Sequence, residues 1–70
     1  MALVSWVVVY IAPSRSSAES VRALLQREGL LATIRPAGGM RGADEGSFEV
    51  LVPSSEARDA TELLSRVTEA

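Results

Sequence analysis

The chain has 70 residues and a net charge of −2, and it contains no Cys and no His. All seven basic residues are Arg, so no lysine is present for Schiff-base chemistry or a Walker-type phosphate loop. Disulfides, the usual zinc ligands and imidazole catalysis are therefore excluded. Acidic and basic residues are interspersed, which argues against nucleic-acid binding. We expect a single domain over residues 1–70, no metal, no cofactor and no enzymatic activity.

The N-terminal segment is the most apolar part of the chain. Residues 1–12, MALVSWVVVYIA, are too few to cross about 30 Å of hydrocarbon as a helix. A signal peptide would require a basic residue near its start, but no Lys or Arg precedes Arg15. The β-branched and aromatic residues predict instead a buried strand over 3–11, which Pro13 ends. We expect no membrane association and a cytoplasmic location.

The first helix is predicted to follow at once. Ser16 and Glu19 have the spacing of a capping box, whereas Ser14 with Ser17 gives a slightly earlier start. Gly29 is placed to end the helix as a left-handed residue. Apolar positions recur every three or four residues and predict one buried face, formed by Ala18, Val21, Leu24, Leu25 and the stem of Glu28.

The rest of the chain predicts two strands and a second helix. Residues 30–35 are typical of a strand, residues 36–46 of a glycine-rich loop, and residues 47–52 of a half-buried strand. The second helix opens at Ser54 or Ser55 after Pro53. Its predicted apolar face comprises Ala57, Ala60, Leu63, Leu64 and Val67.

This element order, β-α-β-β-α, predicts an α+β fold, a ferredoxin-like two-layer sandwich. The antiparallel three-stranded sheet has the order 1-3-2, and both helices pack on one face. The complete ferredoxin-like fold has a fourth strand beside strand 1, and we expect this chain to lack it. Strand 1 is then an edge strand without Lys, Glu, Pro or a bulge signal to protect it.

Strand 1 is apolar on both sides, but helices of the same chain can cover only one. Side chains of a strand project alternately to its two faces. One face is therefore expected to hold Leu3, Val7, Val9 and Ile11, and the other Val4, Trp6, Val8 and Tyr10. Leu51 is expected on the Trp6 side, since Phe48, Val50 and Val52 suit the core. We predict a homodimer that forms through strand 1 edges, the open sheet face or both. The predicted partner or dimer interface comprises Val4, Trp6, Val8, Tyr10 and Leu51.

Two further features have a functional and a simpler interpretation. Gly38 and Gly39, with Arg35 and Arg41, form a candidate effector or anion loop. Phosphate-binding loops normally lead into a helix N-terminus, however, and this one leads into a strand, so a plain connection is the simpler interpretation. Trp6 and Tyr10 resemble an RNA-binding aromatic platform, but the third strand is neither basic nor rich in aromatic residues, since it offers only Phe48 beside Glu49.

Three segments carry a family resemblance: W-V-V-V-Y-I-A-P-S (6–14), A-E-S-V-R-A-L-L-Q-R-E-G-L (18–30) and E-V-L-V-P-S-S-E-A (49–57). The chain resembles a family of small bacterial domains of unknown function described as prokaryotic signal-transducing proteins. The family tends to have Asn or Asp and Glu at the first helix cap, where this chain has Ser14 and Ser17. The resemblance implies a ferredoxin-like or PII-like sandwich with a regulatory role, and no catalytic residues. We expect a regulatory or adaptor module that binds a protein or small effector, or else a purely structural self-association domain, with a weak nucleic-acid or anion binder as a third alternative.

Overall fold

The computed structural model describes residues 5–37 and 46–68. The elements in chain order are β1 (Trp6–Ala12), α1 (Arg15–Arg27), β2 (Thr33–Pro36), β3 (Phe48–Pro53), a 3₁₀ turn (Ser54–Glu56) and α2 (Ala57–Thr68). The strands form one antiparallel sheet in the order β1-β3-β2. The predicted α+β fold, with its β-α-β-β-α order, is confirmed.

The start of α1 is fixed by Ser14. Its backbone is extended, and its Oγ accepts a hydrogen bond from the N–H of Ser17 at 3.2 Å. A serine at this position satisfies one of the four N–H groups that a helix start leaves without an intrahelical partner. Of the two predicted starts, the earlier one is correct.

The end of α1 is fixed by Gly29, which has a φ of +88°. The N–H of Gly29 donates to the C=O of Gln26, and the N–H of Leu30 donates to the C=O of Leu25, both at 3.0 Å. These two bonds form a Schellman motif, which satisfies carbonyls that the helix end would otherwise leave free. The predicted role of Gly29 is confirmed.

The connection from α1 to β2 is longer than the sequence predicts. β2 begins at Thr33 rather than at residue 30. The N–H of Leu31 donates to Oε1 of Glu56 at 2.8 Å, and Nε2 of Gln26 donates to the C=O of Ala32 at 3.3 Å. Side chains, rather than a neighbouring strand, therefore take up the backbone polar groups of this segment.

The core lies between the sheet and the two helices. One face of β3, which we call the helix-side face, packs against buried residues of both helices; the core residues are Ala12, Ala18, Leu25, Ala32, Phe48, Val50, Val52, Ala60 and Leu64. Fully burying a valine or leucine contributes about 1.5–3 kcal/mol, so these contacts dominate the stability of the fold. Val67 was expected here but is 47% exposed, because it lies in the last turn of α2, past Leu63 and Leu64.

The helices are short. α1 has 13 residues and α2 has 12, whereas about 20 apolar residues are needed to span a bilayer. Within residues 5–37 and 46–68, no helix has the length and apolar character of a membrane span.

Candidate interaction surface

The second face of the sheet points away from both helices, and we call it the outer face. Cross-strand neighbours in an antiparallel sheet project to the same side, so the register defines its members. Val8 pairs with Leu51, and Leu51 also pairs with Thr33. The outer face therefore consists of Trp6, Val8, Ile11, Thr33, Arg35, Glu49, Leu51 and Pro53.

The β1 side of the outer face is apolar and accessible. Trp6 is 44% exposed, Val8 38% and Ile11 57%. Leu51, on the central strand between them and β2, is only 3% exposed. Its predicted place on the Trp6 side of the sheet is confirmed by its pairing with Val8. Contiguous exposed apolar side chains of this kind are typical of surfaces that contact another molecule.

The register of β1 shifts between Val8 and Tyr10, which leaves Val9 as an extra residue. Such a bulge places two residues opposite one, and here Val9 and Tyr10 both pack against the core near Val50. The alternation expected from sequence is therefore wrong beyond Val8. Tyr10 lies on the helix side rather than with Trp6, and Ile11 lies on the outer face rather than in the core.

The bulge also changes the character of the strand edge. Among the described residues, β1 pairs with β3 alone, so its other edge is unpaired. The expectation of an edge strand is confirmed, and the strand has a bulge although the sequence carries no obvious signal for one. A bulge at Val9 interrupts the straight row of backbone groups that a second strand would use, and this leaves a short regular run over residues 5–8.

The β2 side of the outer face carries an ion pair. Nε of Arg35 donates to Oε1 of Glu49 at 2.6 Å across the two strands. The Arg35 side chain is 61% exposed and that of Glu49 is 18% exposed. An ion pair with one exposed partner stabilises the fold by at most about 1 kcal/mol.

This pair bears on the candidate anion loop. Arg35 lies in β2 and already has a carboxylate partner, so an anion would have to compete with Glu49 for its guanidinium. Gly38, Gly39 and Arg41 lie outside the described residues. The anion loop therefore stays a prediction, and so does the interface role of Val4, which also lies outside the described residues.

A shallow cleft lies away from the outer face, where the end of α1 approaches α2. Its volume is about 220 Å³, and its lining residues are Glu28, Leu30, Asp59, Glu62, Leu63 and Arg66. Small-molecule sites usually measure about 300–1,000 Å³ and are mostly apolar, so this cleft is small and polar by comparison. In the part of the chain that the structure describes, no group of three or more His, Cys, Asp or Glu side chains is arranged to hold a metal ion.

Comparison with models of protein families, with curated proteins and with solved structures gives no match to this chain. The resemblance to bacterial signal-transducing domains therefore stays a prediction from sequence motifs.

Proposed function

We propose that this chain is a non-catalytic association module, regulatory or adaptor in role, that works as a homodimer joined through the exposed apolar side chains of β1, whether by the outer face or by the strand edge. The observation that carries the proposal is the exposure of Trp6, Val8 and Ile11 in one row on the outer face. Burying such a row against another chain contributes about 25 cal/mol for each Å² of apolar surface removed from water.

A second copy is the occupant that the charge pattern favours. β1 contains no charged side chain, so two copies can meet there without placing like charges opposite each other. The net charge of −2 adds little repulsion between copies. A chain of this length buries only about 60% of its surface when it folds alone, and a second copy extends the core.

The non-catalytic part of the proposal rests on composition. The chain has no His, Cys or Lys, so its serines have neither an imidazole nor an amine to activate them as nucleophiles. Ser14 acts as a helix cap instead. A binding role requires none of the missing groups.

Sedimentation equilibrium over micromolar to millimolar concentrations tests the proposal. We expect the native chain to form dimers and the Trp6→Glu variant to dissociate at least about tenfold more readily, which corresponds to about 1.4 kcal/mol. Trp6 is 44% exposed, so the variant should keep its helical circular dichroism.

The matched control is Val67→Glu, because Val67 is 47% exposed but lies on α2, away from the outer face. This variant should dimerise like the native chain. A native chain that sediments as a monomer at every concentration would overturn the proposal, as would equal weakening by both substitutions.

A further inference from the structure

We infer that two copies pair their β1 strands antiparallel about a two-fold axis at Val7, so that Trp6 of each copy lies opposite Val8 of the other. The two sheets then form one continuous sheet of six strands. The inference rests on the proposed function and specifies the geometry of the homodimer.

The backbone groups of β1 point alternately towards β3 and away from it. The C=O of Ser5 accepts a hydrogen bond from the N–H of Ser54 at 2.7 Å, so Ser5 points towards β3. Trp6 is opposite Pro53, which has no N–H to donate. Because hydrogen-bonding direction alternates along an antiparallel strand, Val7 points towards β3, and the N–H and C=O groups of Trp6 and Val8 point away from it.

The two edges of the sheet differ in what they offer a second strand. The unpaired edge of β2 is short and guarded, since this strand has four residues, includes the charged Arg35 and ends at Pro36, which has no N–H. β1 has seven residues, none of them charged. Of the two edges of the sheet that the described residues form, that of β1 offers outward N–H groups between uncharged side chains.

The direction of the backbone groups also limits the register in which two β1 strands can pair. Outward-pointing residues must pair with outward-pointing residues for a ladder to form, which allows a two-fold axis at Trp6, Val7 or Val8. An axis at Val8 would place Trp6 opposite Tyr10 of the second copy, beyond the bulge at Val9. An axis at Trp6 would place Val8 opposite residue 4, which lies outside the described residues. We infer the axis at Val7 because it pairs Trp6 with Val8, both of them described residues on the near side of the bulge.

The side chains agree with this register. On the outer face, Trp6 packs against Val8 of the second copy, an aromatic and β-branched pair that stabilises antiparallel sheets by about 0.2–1 kcal/mol. On the helix-side face, Val7 meets Val7 of the second copy. Val7 is 37% exposed although its partner across the sheet, Val52, is fully buried, and the pairing would cover this exposed surface.

A single cysteine tests the register, because the native chain has none and any disulfide must join two copies. At the axis, Val7 and its counterpart form a non-hydrogen-bonded pair with Cα atoms about 4.5 Å apart, within the range of about 4.4–6.8 Å that a disulfide needs. Under a glutathione redox buffer, Val7→Cys should become a covalent dimer at least about tenfold faster than Val67→Cys, an exposed position on α2. Faster cross-linking of Val8→Cys than of Val7→Cys would overturn the register.

A second variant keeps every side chain intact. A synthetic chain with N-methyl-Val8 loses one outward N–H, and its dimer should dissociate at least about tenfold more readily while its circular dichroism is unchanged. N-methyl-Ile34 is the control. Thr33 pairs with Leu51, so the N–H of Ile34, the next residue, points away from β3 and towards the outer edge of β2, on the opposite side of the sheet from β1.

If the native chain dimerises but neither Val7→Cys nor N-methyl-Val8 behaves as expected, the edge pairing is wrong and the proposed function stands. A monomeric native chain overturns both.

Discussion

Gly29 shows how one backbone conformation ends a helix. Its φ of +88° lies in the region that side chains disfavour, and a Cβ built there meets nothing within 4 Å. We therefore expect Gly29→Ala to lower the free energy of unfolding by about 1 kcal/mol through backbone strain alone. Urea denaturation measures this loss.

Gly29→Asn is the control for that substitution, because asparagine tolerates the left-handed conformation better than alanine does. It should cost clearly less than Gly29→Ala. Equal losses for the two variants, or no loss for alanine, would contradict the role given to the backbone at this position.

Residues that act locally could be predicted from sequence, and residues that act across the chain could not. Ser14 and Gly29 bond to groups within five residues, so spacing alone identified them. Glu56 accepts the N–H of Leu31 from 25 residues away. No local pattern indicates that contact, because it depends on where the second helix begins relative to the first connection.

At the scale of elements, all three strands and both helices were predicted, but the course of β1 was not. Three successive valines give no signal that one of them is extra, because each fits either face of a sheet. The bulge follows from tertiary packing, which requires Ala12 to lie opposite Phe48 and Tyr10 opposite Val50. The sequence prediction therefore placed Tyr10 on the Trp6 side of the strand and Ile11 on the opposite side, the reverse of their positions in the structure.

This explanation of the bulge predicts the effect of removing one valine from the run of residues 7–9. The shortened strand, WVVYIA, would alternate regularly with Tyr10 still opposite Val50 and Ile11 still on the outer face. We expect the variant to fold, with a loss of about 1 kcal/mol from the missing partly buried valine. Urea denaturation and nuclear Overhauser contacts between Tyr10 and Val50 check both points.

The same variant should also self-associate more tightly than the native chain, since a regular edge exposes a longer row of backbone groups. A dissociation constant at least about tenfold lower in sedimentation equilibrium is the expected result. Weaker association, or a Tyr10 ring that becomes exposed, would show that the bulge has another origin.

At the scale of the whole molecule, the sheet divides the chain into a covered and an uncovered side. The helix-side face holds the core, whereas the outer face exposes Trp6, Val8 and Ile11. The sequence predicted this asymmetry, because two helices on one side cannot cover a strand that is apolar on both. It left open whether a second copy would meet the edge of β1 or the open face, since residue types do not give the direction of individual backbone groups.

The proposed association along β1 would couple stability to concentration. Because such a dimer would dissociate when its chains unfold, mass action would raise the unfolding midpoint with chain concentration. For a 70-residue chain, each tenfold increase should raise the midpoint by a few degrees. Calorimetry over two decades of concentration measures the trend, and Trp6→Glu should show a much flatter one.

Added salt should leave the concentration dependence of the unfolding midpoint almost unchanged. β1 has no charged side chain, and the Arg35–Glu49 ion pair lies on β2 and β3, away from the edge of β1. Ion pairs between copies would instead weaken as salt screens them. A concentration dependence that disappears in molar salt would therefore assign the association to charged surfaces elsewhere. A dependence that persists in molar salt and is lost in Trp6→Glu would assign it to the apolar row on β1.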